Sequence, residues 1–168
     1  METIEQSLVL LKPDALERGL VGEIIQRFER VGLKIVGMKL LQPTEAHASQ
    51  HYTEDLAIRR GEHVRKAMID MLTAGPVVAI VLEGIEAVEL VRKMIGGTEP
   101  KSSAPGTIRG DYAHVSFKHV DSSSDNKLYN LIHGSATVEE AKVEVAVWFT
   151  PEELVKHEPV YTKHTITK

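Results

Sequence analysis

The chain contains no cysteine among its 168 residues. That excludes disulfides, thiolate metal sites and cysteine nucleophiles, and it suits a reducing cytoplasm. It holds no apolar run of the length needed to span a bilayer. The opening residues Met1-Glu2-Thr3-Ile4-Glu5 are acidic and lack the apolar core of a secretion signal. Positive charge is not in excess either. A formal net charge of −4 argues against general nucleic-acid binding, so a polyanionic ligand would need a local cluster of arginine and lysine. Neither Gly-x-x-x-x-Gly-Lys-Ser/Thr nor Gly-x-Gly-x-x-Gly occurs, which removes the common nucleotide cradles.

What is present is the balance of a soluble globular protein, 42% hydrophobic and 26% charged. The length fits a single domain over 1–168 that can bury a sizeable core. Ser7 to Leu11 is an apolar run that stops at Lys12-Pro13 and predicts a buried strand. From Leu20, the residues Val21, Ile24, Ile25, Phe28 and Val31 recur at helical spacing until Gly32. Residues 33 to 41 predict a second strand, after which Pro43-Thr44 opens a short helix toward Tyr52. Val64, Ala67, Met68, Met71 and Leu72 mark the next helix, and Val77 to Leu82 reads as a central strand. A helix through Val88, Val91, Met94 and Ile95 ends at Gly96-Gly97. A Gly/Pro/Ser-rich loop follows from Thr98 to Asp111, and a polar surface segment covers about 113–127. Residues 128 to 133 predict the last strand. Thr137-Val138-Glu139-Glu140 spells a capping box before a helix through Trp148. The simplest assembly is a four-stranded sheet with helices on one face.

The chemistry concentrates in Asn130-Leu131-Ile132-His133-Gly134-Ser135. An imidazole at the end of an apolar strand, beside a glycine, is a nucleophile on a rigid support, and neutral histidine can attack phosphorus without a separate base. Glu144, at the edge of the following helix's apolar stripe, could face inward and hold the second ring nitrogen. Taken alone, each has a blander reading: a histidine after a strand is commonly structural, and a glutamate on a helix is commonly solvated. A second cluster, Pro105-Gly106-Thr107-Ile108-Arg109-Gly110-Asp111 with Arg92 and Thr98, offers guanidiniums and a hydroxyl to phosphate oxygens. A surface turn with solvated arginines explains the loop equally well. Lys12 is either a snorkelling strand end or a point charge for a phosphate. Tyr52 either bonds the nucleophile or packs.

Leu11-Lys12-Pro13-Asp14-Ala15, Arg18 to Ile25, His51-Tyr52, Gly75-Pro76-Val77-Val78, Pro105 to Asp111, Asn130 to Ser135 and Trp148-Phe149 resemble, in order, the motifs of nucleoside diphosphate kinases. The resemblance spans the chain from about Ser7 to Leu154. It implies an α+β, ferredoxin-like βαββαβ fold with a four-stranded antiparallel sheet and helices packed on it. It also implies ping-pong transfer of a γ-phosphate from a nucleoside triphosphate to a nucleoside diphosphate (ATP/ADP, GTP/GDP and others). Mg²⁺ is expected on the nucleotide phosphates, with no metal held by the protein, and the chain is expected to form a homo-oligomer, a hexamer or tetramer. His133 falls at the phosphorylated position, with Nδ1 the attacking atom in that family. Glu144 and Ser135 fall where the family supports it, and Lys12, Tyr52, Arg92, Thr98, Arg109 and Asn130 fall around the nucleotide and its phosphates.

The sequence departs from the family where the base is usually stacked on a phenylalanine, for here His63-Val64 stands, after a few extra residues. Val64 is thus the candidate base contact. Ala136 replaces a usual acidic residue, and the segment 113–127 is additional, a surface loop near the site mouth or a subunit contact. Two other functions fit part of the pattern: a non-catalytic nucleotide-sensing module, and a phosphocarrier charged on histidine by another kinase.

Overall fold

The computed structural model describes residues 4–124 and 126–165. Four strands carry it: β1 (Ile4–Leu11), β2 (Lys34–Leu41), β3 (Val77–Ile85) and β4 (Ile132–Gly134). They form one sheet in the order β2-β3-β1-β4 with every neighbouring pair antiparallel. The helices are α1 (Pro13–Glu17), α2 (Val21–Arg30), α3 (Glu45–His51), α4 (Glu54–Arg60), α5 (Glu62–Thr73), α6 (Ala87–Ile95), α7 (Ile108–Tyr112), α8 (Phe117–Ser122), α9 (Val138–Trp148) and α10 (Thr162–Thr165). This is the α+β, ferredoxin-like arrangement that the sequence predicts.

The core lies on both faces of the sheet rather than one. Val9 and Leu11 of β1 with Ile80 and Leu82 of β3 meet Ile24 and Phe28 of α2 and Val91 and Ile95 of α6. The alternate residues Leu8, Leu10, Ala79 and Val81 meet Ala48 of α3, Ile69 and Leu72 of α5, and Val145 and Trp148 of α9. The central stretches Leu8–Leu11 of β1 and Val77–Leu82 of β3 are therefore apolar at every position, because each face needs its own alternate set. A continuous apolar run announces burial on both sides, and the single-faced assembly read from the element count is corrected by it.

Local signals place most of the boundaries. Gly32 ends the turn after α2 at φ +85, a conformation that glycine takes without a Cβ penalty. Thr44 accepts the His47 N–H at 3.1 Å to start α3, and Thr137 accepts the Glu140 N–H at 3.1 Å to start α9. The fourth strand is the main departure. Only Ile132–Gly134 pairs with β1, through Val9↔Gly134, Leu10↔His133 and Leu11↔Ile132. The strand predicted from residue 128 is interrupted because Leu131 has φ +69, a left-handed backbone that cannot continue a ladder. The segment 113–127 contains α8, begun by Ser116 accepting the His119 N–H. The C-terminal tail docks beside β2: Val155 N–H bonds the Val36 carbonyl at 2.7 Å and Lys39 pairs with Glu153. No described helix is long and apolar enough to cross a membrane.

Candidate active site

His133 sits at the middle of β4, opposite Leu10, with its side chain 22% exposed. Its Nε2 lies 2.8 Å from Glu144 Oε1. The other carboxylate oxygen accepts the Ser135 hydroxyl at 2.5 Å, and that hydroxyl oxygen accepts the Leu8 N–H at 3.2 Å. A relay thus runs from the backbone of β1 through Ser135 and Glu144 to the imidazole. A carboxylate only accepts, so Nε2 carries the ring proton and Nδ1 keeps its lone pair. The inward turn of Glu144 follows from α9 packing directly on β1, which brings one helix edge over the strand that pairs with β4.

A second imidazole stands against the first. The His51 ring meets the His133 ring edge-on, with centroids 4.4 Å apart at 88°. Burial foremost, then the neighbouring His133 and Lys12, holds His51 well below the ordinary histidine pKa. The Tyr52 hydroxyl is buried and has no hydrogen-bond partner among the described residues. Burial, reinforced by Glu144, pushes the pKa of this phenol up, which keeps it a neutral donor.

The cationic side is built around Asn130. Lys12, 2% exposed, donates from Nζ to Asn130 Oδ1 at 2.7 Å, and Asn130 Nδ2 donates to the Thr98 carbonyl at 2.9 Å. Burial and then Arg109 pull the Lys12 amine down to about 7, while Asp14 opposes them. Arg109 of α7 is spent on the backbone: Nε donates to the Asn130 carbonyl, Nη1 to those of Gly96 and Gly97, and Nη2 to that of Ile132. Four of its five N–H groups are so engaged. The guanidinium is therefore not free to offer its whole fork to phosphate oxygens; Arg109 is first of all the tie that joins the Gly-rich loop to the turn before His133. Burial, then the charge of Arg92, lowers its pKa to about 10. Arg92, in the last turn of α6, is exposed, as is Thr98. Val64, in the first turn of α5, is half-buried.

The loop holding Arg109 is itself fastened. Arg27 of α2 pairs with Asp111 at 2.6 Å, lies over the Tyr112 ring at 4.5 Å, and Tyr112 donates to Glu23 at 2.7 Å. Sequence reasoning gave no role in the site to Asp14 or His51, and took Trp148 only as part of the last helix and of the Trp148-Phe149 motif. The signal for Trp148 was its being the one tryptophan on the helix that also carries Glu144; Asp14 and His51 also lie inside family-like motifs, but nothing local marks them. His51, His133 and Glu144 offer ligand atoms within 4.8 Å of one another. Two of the three donors are imidazole nitrogens, and His133 and Glu144 already bond each other, so the cluster does not suit a hard cation such as Mg²⁺.

Residues 5–154 match the family model described as nucleoside diphosphate kinase. The chain is 47% identical over 157 residues to the nucleoside diphosphate kinase of Pyrococcus furiosus, covering 94% of this chain and 90% of that protein. Among solved structures it is similar to the nucleoside diphosphate kinase of Borrelia burgdorferi, a transition-state mimic with bound vanadate and ADP. The TM-score is 0.95 at 38% identity, with 98% of each chain covered. The Halobacterium salinarum enzyme in complex with CDP aligns with a TM-score of 0.81 at 36% identity, covering 96% of this chain and 97% of that one. With the fold, the ordered motifs and these likenesses agreeing, the chain belongs to the nucleoside diphosphate kinase family.

Proposed function

We propose that the chain is a nucleoside diphosphate kinase that passes the γ-phosphate of a nucleoside triphosphate to a nucleoside diphosphate through phospho-His133, and so helps maintain (deoxy)nucleoside triphosphate pools. The observation that carries this reading is the 2.8 Å bond between His133 Nε2 and Glu144, which leaves Nδ1 as the nucleophilic nitrogen. In the first half-reaction the Nδ1 lone pair attacks the γ-phosphorus, the bond to the β,γ-bridging oxygen breaks, and the nucleoside diphosphate departs with that electron pair. Glu144 stabilises the positive ring that results. In the second half-reaction a terminal oxygen of another nucleoside diphosphate attacks the phosphorus, and the N–P bond electrons return to Nδ1. Chemistry of this kind depends on positioning and charge stabilisation.

Lys12, Arg92, Thr98 and Arg109 neutralise and orient the phosphates, Asn130 orients Lys12, and the Tyr52 hydroxyl, which has no partner among the described residues, donates to the incoming phosphoryl group. Ser135 fixes the Glu144 carboxylate. Val64 lies beneath the base. Mg²⁺ arrives as part of the substrate, on the nucleotide phosphates. Residues 1–168 act as one kinase domain, a reading supported by the single sheet shared by both cores. A homo-oligomer, hexamer or tetramer, is supported by the sheet-edge position of β2, where Met38 and Leu40 are 56% and 66% exposed. A cytoplasmic location is supported by the absence of cysteine.

The test is incubation with γ-labelled ATP. The wild-type protein should take up acid-labile, base-stable label and release it on addition of dTDP with no other protein present, and His133→Ala should take up none. Stoichiometric base-stable label on His133→Ala would overturn the assignment.

A further inference from the structure

Asp14 lies in the first turn of α1, 7% exposed, directly after Pro13. Its Oδ2 accepts the Leu131 N–H at 2.9 Å, across 117 residues of sequence. Leu131 has φ +69, and the Ile132 N–H closes back on the Asn130 carbonyl at 2.8 Å. Residues 130–132 therefore form a γ-turn of the left-handed, strained kind, which a residue with a side chain adopts only when its surroundings impose it. Glycine cannot take its place without loss, because the Leu131 side chain is wholly buried in the core. The imposition comes from one short stretch: Asp14 holds the Leu131 N–H, and the backbone N–H of Lys12 donates to the Leu131 carbonyl at 2.8 Å.

This turn sets the nucleophile. His133 follows Leu131 by two residues, and β4 is only 3 residues long, too short to fix its own register against β1. Asp14 has a second consequence through charge. Around the Lys12 amine stand Asp14 from α1, Arg109 from α7 and the neutral His51 from α3. Asp14 is the one anion among the groups acting on Lys12, and its Oδ1 is buried with no hydrogen-bond partner among the described residues.

We propose that Asp14 is a positioning residue for the phosphoryl transfer, holding the Leu131 turn that aims His133 and setting a buried carboxylate two residues along the chain from Lys12. The proposal rests on the reading that His133 is phosphorylated. Asp14→Asn retains an oxygen for the Leu131 N–H but removes the charge; Asp14→Ala removes both. The experiment is single-turnover phosphorylation of the full-length proteins by Mg·ATP across pH, with melting followed in parallel.

For Asp14→Asn, melting should stay close to wild type while the alkaline limb of the rate profile moves down by about one pH unit. For Asp14→Ala, the rate should fall at least about tenfold at every pH. A purely structural aspartate would not move the pH limb. A wild-type profile in Asp14→Asn overturns the proposal while leaving the phosphohistidine reading intact, and it does so even if Asp14→Ala does not fold. No label on the wild-type protein overturns both.

Discussion

Trp148 donates its indole N–H to Nδ1 of His51 across 3.3 Å. The donor has no acceptor capacity, so His51 must present a bare Nδ1 and carry its proton on Nε2, which makes the ring neutral. Together with burial, this keeps a second neutral imidazole edge-on to His133. Within the proposed reaction it packs the nucleophile in place without adding a charge that would repel Lys12.

The pH dependence of stability checks this arrangement. The folded His51 resists protonation, whereas the unfolded chain takes up a proton around the ordinary value of 6.5. The unfolded state thus binds more protons as pH drops, and stability should fall progressively below about 6.5. His51→Phe should flatten that acid slope. Near pH 8 it should cost about 1–3 kcal/mol, because the buried Trp148 N–H loses its acceptor. Urea titrations at a series of pH values measure both effects.

Lys12 predicts a trend at the other end of the scale. Its pKa is about 7 in the folded chain against 10.5 unfolded. Between those values the unfolded chain keeps a proton that the folded chain has released, so stability of the ligand-free protein should rise with pH across the window. Activity should move the other way. Loss of the ammonium weakens capture of the polyphosphate, so kcat/KM should decline above about 7, while kcat at saturation should hold to higher pH because bound phosphate raises the amine's pKa again. Lys12→Met should abolish the rise in stability and lower kcat/KM at every pH.

The relay behind the nucleophile predicts graded losses. Glu144→Ala removes the acceptor on His133 Nε2 and should slow phosphoenzyme formation by about 10- to 1000-fold. Ser135→Ala leaves the carboxylate but frees its second oxygen and strips the Leu8 N–H of its acceptor. It should destabilise the fold by about 1–3 kcal/mol with the smaller kinetic effect. Rapid-mixing assays and denaturant midpoints separate the two contributions.

How much of this was legible in the sequence depends on the range over which each feature is decided. The apolar runs of β1 and β3, the helical spacing in α2 and the Thr44 and Thr137 caps are decided by neighbours a few residues apart, and they stand where expected. The pairing of His133 with Glu144 was legible because α9 follows β4 at once. The short β4 was not, since the left-handed Leu131 is imposed by Asp14 from 117 residues away. Nor was the engagement of Arg109, whose donors go to main-chain carbonyls, groups that every residue has and that no side-chain pattern marks. The docking of Val155 on β2 is likewise a backbone contact without a sequence signature.

Gly110 tests whether Arg109 acts through the loop that carries it. A Cβ built at Gly110 would collide with the Ala104 carbonyl oxygen and crowd Thr107 Oγ1, both parts of the turn that starts α7. Backbone cannot step aside as the end of a side chain can, so Gly110→Ala should cost about 1–3 kcal/mol. Displacing that turn also drags Arg109 from the carbonyls of Gly96, Gly97, Asn130 and Ile132. The phosphorylation rate should therefore fall together with stability. Gly134→Ala is the comparison, for its Cβ would meet side-chain atoms, chiefly the Ile95 Cδ1 end, rather than backbone. If Gly110→Ala proved as active and as stable as Gly134→Ala, the loop would not be what holds Arg109 against the His133 turn.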